Sequence, residues 1–170
     1  MGILWTLLIM ALPQAGAQTL SQTTVATLSD KAESVVRGEV LHQRMDHDQN
    51  GIWTVALVRV TETLQGSHQP IMEVRVPGGR LKDLEVMVAR APRLLPGDDV
   101  LLFLQGDQIV GLGAGAFVIH QNRVWQALDA WTFGHADERG GGAPSLALSD
   151  VRTELSRAYA SSAHPSSVAN

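Results

Sequence analysis

The chain has 170 residues, 45% of them hydrophobic, which suits one domain with a core of ordinary size. Its formal net charge of -4 indicates no general attraction to nucleic acid or to an anionic membrane. It contains no cysteine, which excludes disulfides, thiol catalysis and thiolate metal sites.

The first 17 residues have the pattern of a secretory signal peptide. An apolar run, Ile3–Leu12, is followed by Pro13, and Ala15-Gly16-Ala17 supplies a small-residue cleavage site before Gln18. The run is too short to span a bilayer, and no cysteine follows the site to carry a lipid. We therefore predict that residues 1–17 are removed and that the mature chain is secreted or periplasmic, without a membrane anchor.

The centre of the chain predicts a long β-hairpin, with strands over Val35–Arg44 and Ile52–Leu64. Its polar tip ends in Asn50-Gly51, the dipeptide that most readily adopts the positive φ angles of a tight turn. The second strand begins with apolar residues on both faces, which indicates that both faces are covered. One face carries Thr54, Ala56, Val58 and Val60, and the other carries Trp53, Val55 and Leu57.

Shorter elements flank this hairpin. Gln18–Thr27 predicts a polar lead or an edge strand, and Ser29 is expected to cap a helical turn over Asp30–Glu33. Val100–Leu104 is a continuous apolar run and is predicted to be the most buried strand. The other predicted strands are Ile71–Val76, Leu84–Ala89, Gln108–Leu112, Phe117–His120 and Arg123–Gln126.

These elements predict a mainly β fold, a small OB-like antiparallel barrel with a C-terminal amphipathic helix. The helix is expected to be capped by Ser149 and to dock on the outer face of the second strand, over Trp53. Its apolar stripe is Leu148, Val151, Leu155, Ala158 and Tyr159. The predicted divisions are barrel 28–133, Gly-rich linker 134–145, helix 146–160 and disordered tail 161–170.

The order of motifs resembles a family of uncharacterised bacterial secreted proteins. The motifs are VVRGEV, VTETLQG, VPGG, APRLLPGDDVLLFL and VGLGAGAFVI, within Ala32 to Gln126. More distantly, the layout resembles the netrin-like module of tissue inhibitors of metalloproteinases, which implies an OB-like barrel. Those inhibitors chelate the target's zinc through an N-terminal cysteine, and this chain has none. The resemblance therefore implies a fold but transfers no mechanism.

The hairpin tip also matches the opening of a calcium loop, because Asp46, Asp48 and Asn50 precede Gly51. The twelfth position should be a bidentate Glu but is Leu57, and a strand follows instead of a helix. A polar turn is therefore the favoured interpretation, and calcium is kept as the alternative. His42 and His47 lack the spacing of a zinc site, and the chain has no thiolate to complete one. His120 and His135 lie in apolar or aromatic surroundings without an acidic partner, so satisfied or exposed histidines are favoured there.

The sequence gives little support for dinucleotide binding, for a catalytic motif or for a nucleic-acid-binding surface. The glycines of Gly111–Ala116 lead into a strand, so a packed connection is favoured over a dinucleotide loop. No nucleophile-elbow, P-loop or S-x-x-K motif is present. Trp53, Trp125 and Trp131 suggest a stacking surface, but the basic residues are scattered, so a place in the core or under a lid is favoured.

The sequence therefore predicts a secreted or periplasmic binding module without catalytic chemistry, cofactor or nucleic-acid partner. Its expected partner is another envelope or extracellular protein. Two alternatives stay open: a modulator of an extracellular protease, and a hydrolase whose site assembles from distant residues. The candidate partner surface is Pro77, Gly78, Gly79, Arg90, Pro92 and Arg93.

Overall fold

The computed structural model describes residues 25–127 and 146–162, which form a mainly β fold with two α-helices. The predicted signal peptide, the linker at 134–145 and residues 163–170 of the predicted tail lie outside the described residues. The elements in chain order are α1 (Val25–Lys31), β1 (Ser34–Asp48), β2 (Gly51–Gln65), β3 (Ile71–Pro77), β4 (Gly79–Leu81), β5 (Leu84–Val86), β6 (Asp99–Gln105), β7 (Gln108–Ile109), a 3-10 turn (Leu112–Gly115), β8 (Ala116–His120), β9 (Arg123–Gln126), β10 (Leu146–Ala147) and α2 (Leu148–Ser162).

Eight strands form one sheet, in the order β1-β2-β3-β7-β6-β8-β9-β10, and β1 also pairs with β6. The first five of these therefore close into a ring, with β3 and β7 its only parallel pair among the described strands. The long β1 closes the ring because Gly38 pairs with Val60 of β2 on one edge and Val100 of β6 on the other. Register shifts along β1, one of them between Val40 and His42, bend the strand as β-bulges do.

The interior of the ring holds the first core cluster, built from the inward-facing residues of its strands. The loop before β6 contributes to this cluster, because Leu94 is 1% exposed within it. The main chain of the same loop is bonded to β1: Val40 N–H donates to the Asp98 carbonyl at 3.0 Å, and Gly97 N–H donates to the Val40 carbonyl at 2.8 Å. The cluster is Val36, Val40, Ala56, Val58, Val60, Val74, Val76, Leu94, Val100, Leu102, Leu104, Ile109, Ala116 and Ala127.

The apolar centre of β6 is fully buried, as its continuous apolar run predicted. All five residues from Val100 to Leu104 are 0% exposed. Alternate residues face different cores: Leu102 belongs to the cluster inside the ring, while Leu101 and Phe103 belong to a second cluster outside it. The ring of Phe103 meets Phe117 of β8 edge-to-face, with centroids 5.9 Å apart.

The second cluster lies under the two helices, and this corrects the predicted position of the C-terminal helix. Its residues are Val25, Leu28, Ala32, Val35, Leu101, Phe103, Val110, Ile119, Val124, Leu148, Val151 and Leu155. The helix α2 thus packs with α1 over the outer side of β6, and reaches only the end of β2 through Arg152 and Glu62, not its start over Trp53. Because β6 is apolar on both faces, its outer face needs a cover that the ring cannot supply. Tyr159, expected on the buried stripe, is 62% exposed.

Long charged side chains cover the outer face of β2 instead of the helix. The register places Val55 between Arg44 of β1 and Arg75 of β3, and Val55 is buried. Arg44 is ion-paired with Glu73 at 2.9 Å, and Arg75 with Asp48 at 2.8 Å. The aliphatic stems of such arginines can shield apolar surface while their charged ends stay hydrated.

The structure corrects three local expectations about caps and the turn. Ser29 lies inside α1, where its hydroxyl donates to Gln65 Oε1 at 2.6 Å, so it is not an N-cap. Ser149 likewise lies inside α2, which starts at Leu148 after the short strand β10. At the hairpin tip the loop residues are Gln49 and Asn50, and only Gly51 has a positive φ, 134°.

The predicted strand Leu84–Ala89 is wrong in its length, and the observed strand lies outside the main sheet. Only Leu84–Val86 is extended, and it pairs with β4 in a separate two-stranded sheet. The alternation of Leu84, Val86 and Val88 resembles a half-buried strand, but Leu84 and Val86 are exposed. An alternating pattern specifies a face, and the pairing of more distant strands decides whether that face is covered.

Candidate functional site

The small β4–β5 sheet is separate from the main sheet. We call this sheet and the chain that follows it, residues 79–93, the hairpin lobe. The lobe lies against the tip of the β1–β2 hairpin, because Gly78 N–H donates to the Ile52 carbonyl at 2.8 Å and Thr54 Oγ1 donates to the Gly78 carbonyl at 2.9 Å. A Cβ on Gly79, whose φ is 137°, would lie 2.7 Å from Met45 Sδ and from Thr54 Oγ1. Only glycine allows this close approach.

The lobe is apolar at its surface. Leu84 is 60% exposed and Met87 is 69% exposed, with Val86 exposed beside them and Met45 exposed on the adjoining hairpin tip. The exposed large hydrophobic residues in the described ranges are Met45, Ile71, Leu84, Val86, Met87, Leu112, Leu146 and Tyr159. Half of them therefore lie on the lobe or against it. Clustered exposed apolar residues mark interaction surfaces far more often than scattered ones do.

The lobe also carries cations without a described counter-ion. Arg80, Lys82, Arg90 and Arg93 are exposed, and no carboxylate in the described ranges lies within ion-pair distance of any of them. Ion pairs between described residues join Arg37 to Asp99, Arg44 to Glu73, Arg59 to Glu39, Arg75 to Asp48 and Arg152 to Glu62. The four basic and two acidic residues of the lobe give it a formal charge of +2, against -4 for the whole chain.

The structure places the six predicted partner-surface residues around this lobe but leaves only some of them accessible. Gly78 and Pro92 are buried, and Pro77 and Gly79 are half-buried. Arg90 and Arg93 are exposed, and their main chains are hydrogen-bonded to neighbouring segments. Gly113 N–H donates to the Arg90 carbonyl, and Arg93 N–H donates to the Ala127 carbonyl, both at 3.0 Å.

Sequence reasoning missed the two most exposed apolar residues of the site, Leu84 and Met87, because it counted their segment among the strands laid against the long hairpin. One available signal was the pair of carboxylates, Asp83 and Glu85, interleaved with the apolar residues. A second was the Gly78-Gly79 pair just before, which allows the chain to leave the main sheet.

The calcium candidates lie together at the hairpin tip, where Asp48 is already fully bonded within the protein. Its Oδ1 accepts the Asn50 N–H at 2.8 Å and the Trp53 indole N–H at 3.0 Å, and its Oδ2 accepts Arg75 at 2.8 Å. The indole hydrogen bond, followed by the Asn50 N–H, lowers the pKa of Asp48 from its ordinary value.

Asp46 has a similar environment. Its Oδ1 accepts the His47 N–H at 2.8 Å, which lowers its pKa, and its Oδ2 lies 3.3 Å from Arg44. In the parts of the chain that the structure describes, no group of three or more His, Asp or Glu side chains could hold a metal ion. His42, His47 and His120 are exposed, and His135 lies outside the described residues. The polar turn stays the favoured interpretation of the tip, and calcium stays the untested alternative.

The hydrolase alternative needs a histidine, an acid and a nucleophile in contact. Thr63 Oγ1 lies 3.1 Å from His68 Nδ1, where Thr63 is half-buried and His68 is exposed. No described carboxylate bonds to His68, so this pair lacks the acid that orients a catalytic histidine. An open hollow of about 360 Å³ near Glu33 and Asp107 has no described histidine in its lining. The hydrolase alternative therefore also stays a prediction.

The glycine-rich stretch serves the fold, whereas the two tryptophans within the described ranges lie outside the core that was favoured for them. Gly111–Gly115 turns into β8, and a Cβ on Gly115 would lie 2.6 Å from the Val110 carbonyl, which confirms a tightly packed connection. Trp53 and Trp125 are half-buried and belong to neither core cluster, while Trp131 lies outside the described residues.

None of the described helices is long and apolar enough to cross a membrane. No family model, curated protein or solved structure matches the chain.

Proposed function

We propose that this chain is an exported, non-catalytic binding module that presents the hairpin lobe to another envelope or extracellular protein. The observation that carries the proposal is the lobe itself. Leu84 and Met87 project outside both cores, beside cations that have no described counter-ion. An exposed apolar centre among polar and charged residues is the usual composition of a protein interface, and both methionine and arginine are enriched there.

The scaffold of the proposed module is an OB-like barrel. Its support is the ring of five strands, closed by the pairing of β1 with β6 and bent by the bulges of β1. OB barrels are small five-stranded β folds that bind ligands through exposed faces and loops. The hairpin lobe would be such an appendage, held rigidly against the scaffold by the close contacts of Gly78 and Gly79.

Export rests on the signal-peptide pattern, and N-terminal sequencing tests it directly. The chain expressed in its own cell should yield a mature form that begins at Gln18 in the envelope or culture supernatant. A soluble cytoplasmic pool that keeps Met1 would contradict export.

Affinity capture with matched variants tests the binding function. The mature chain is immobilised and exposed to envelope extract and culture supernatant, in parallel with a Leu84→Ser/Met87→Ser double variant and an Ile71→Ser control. Ile71 is 51% exposed but lies on β3, outside the lobe. We expect a partner that the wild type and the control retain equally and the double variant loses. Equal capture by all three proteins would contradict the role of the lobe.

A further inference from the structure

The outer edge of β5 is open for strand pairing. This strand pairs with β4 along one edge, and no described strand pairs with the other. Such an edge presents N–H and C=O groups that can add a further strand. We propose that the partner of the lobe donates an extended, acidic segment that pairs with this edge; the inference rests on the proposed function.

The register of the β4–β5 hairpin indicates which main-chain groups of β5 point away from β4. Leu84 pairs with Leu81 and Val86 with Gly79, and the two pairs flank Glu85, which lies opposite Arg80. In an antiparallel ladder the hydrogen-bonded pairs alternate with non-bonded ones. The pair that closes the two-residue loop, Leu81 with Leu84, is a hydrogen-bonded pair. The next pair, Arg80 with Glu85, is therefore a non-bonded one, so the N–H and C=O of Glu85 face away from β4. In agreement, the Val86 carbonyl faces inward, 2.7 Å from the Cβ position of Gly78.

The charge of the lobe selects the composition of the incoming segment. Arg80, Lys82, Arg90 and Arg93 have no described counter-ion, so carboxylates on the added strand would supply one. Apolar side chains at alternate positions of the segment would lie beside Leu84 and Val86, since successive residues of a strand face opposite sides. The rest of the chain is acidic and would repel an acidic partner from every other face, which favours approach at the lobe.

A lipid surface fits these observations less well than a protein strand. The open edge of β5 presents main-chain donors and acceptors at a fixed spacing, which another strand can match and a lipid surface cannot. We therefore expect the ligand of this strand edge to be a protein segment in which apolar and acidic residues alternate.

A phage-displayed library of random decapeptides, selected on the immobilised mature chain, provides the test. Two variants distinguish binding by strand pairing from non-specific binding to the exposed apolar residues. Glu85→Pro removes the outward N–H, and proline is tolerated where the N–H faces solvent on an edge strand. Glu85→Ala removes the same carboxylate but keeps the N–H. Circular dichroism and the exchange of the Val86 amide hydrogen confirm that the hairpin persists in both variants.

We expect the selected peptides to alternate apolar with acidic residues. A synthetic copy of one of them should bind the wild type and Glu85→Ala, and should lose about tenfold or more in affinity for Glu85→Pro, in which one outward hydrogen bond is missing. Its affinity should fall as salt is raised, because the attraction is electrostatic.

Other outcomes would overturn the inference and separate it from the proposed function. Peptides that bind Glu85→Pro as well as Glu85→Ala but fail on Leu84→Ser/Met87→Ser would leave the lobe as a binding surface without strand pairing. Binding to phosphatidylglycerol vesicles with no peptide selected would assign the lobe to lipid. A concentration-dependent dimer that Glu85→Pro abolishes would assign the edge to a second copy. If no peptide is selected and affinity capture finds no partner that depends on the lobe, both proposals fail.

Discussion

The guanidinium of Arg75 lies over the indole ring of Trp53, 4.7 Å from the ring centroid. Both side chains also bond to Asp48, through Arg75 Nη2 at 2.8 Å and the indole N–H at 3.0 Å. The three residues thus connect β3 to the tip of the β1–β2 hairpin, against which the hairpin lobe packs. The buried Nε of Arg75 has no hydrogen-bond partner among the described residues, so charge and stacking outweigh that loss.

Replacing Arg75 by lysine should show how much the planar stack contributes. Lysine keeps the charge but loses the flat guanidinium, so we expect a loss of about 0.5–2 kcal/mol in the free energy of unfolding. The measurement is a denaturant melt together with the NMR resonance of the Trp53 indole N–H. The control is Arg59→Lys, because Arg59 pairs with Glu39 at 2.5 Å and stacks on no described aromatic ring. Equal losses in the two variants would contradict a stacking contribution.

Lowering the pH should destabilise the hairpin tip, because protonated Asp48 no longer accepts its hydrogen bonds as a carboxylate. Its pKa is lowered in the folded protein, first by the indole N–H of Trp53 and then by the Asn50 N–H. Its stabilising contribution is therefore fully present above the ordinary pKa of an aspartate, and it is lost as the pH falls through the lowered value. We expect the Trp53 indole resonance to move only below about pH 4. In Asp48→Asn this titration should be absent, and its persistence would assign the change to another carboxylate.

Calcium should leave the hairpin tip unchanged at millimolar concentration. Asp48 uses both oxygens within the protein, and Asp46 already bonds to the His47 N–H and to Arg44. A calcium ion would have to displace these partners. Calcium titration followed at the Trp53 indole N–H tests the prediction, with magnesium as the control ion. A saturable shift with calcium alone, lost in Asp46→Asn, would establish the site.

Phe103→Ala should cost about 3–5 kcal/mol in the free energy of unfolding, because it leaves a cavity under the helices. Phe103 is fully buried, and its ring contacts Phe117. Ile71→Ala is the control, since Ile71 is exposed and should cost less than about 0.5 kcal/mol. A loss below about 1 kcal/mol for Phe103→Ala in denaturant melts would contradict the observed burial.

Truncating the chain after Arg139 removes β10 and α2 and should expose the outer side of β6. Val35, Leu101 and Phe103 would lose part of their cover, so we expect binding of an apolar dye and aggregation. Arg157→Asp is a mild control, because Arg157 is an exposed residue of the same helix. A truncated protein that stays monomeric and binds no dye would show that α2 adds little to the second core.

Local sequence patterns were sufficient for the longer strands of the main sheet, but they missed the two-residue strand β10. The two long strands follow from alternating apolar residues around a turn-forming tip, and the burial of Val100–Leu104 follows from its unbroken apolar run. The last hairpin, β8–β9, follows from Gln121 and Asn122, which both take positive φ angles in its turn. In each case the signal lies within a few residues along the chain, where backbone preferences act.

The candidate site was predicted only in part for the same reason. The glycines and arginines of residues 77–93 identified the region, since Gly78 and Gly79 mark a turn whatever lies beside them. The apolar residues of the lobe were misassigned, because Leu84 and Val86 alternate as buried residues do. Nothing within that segment reports that the main sheet leaves it unpaired.

The sequence by itself determined the longer extended segments, the turns between them and the apolar faces of those strands. The tertiary structure decided which apolar faces meet. It joined the first half of β1 to β6, docked α2 with α1 over Phe103, and covered Val55 with arginine side chains instead of a helix. These outcomes depend on contacts between residues far apart in sequence. Because apolar burial is non-directional, a pattern states that a face needs cover but cannot state which element supplies it.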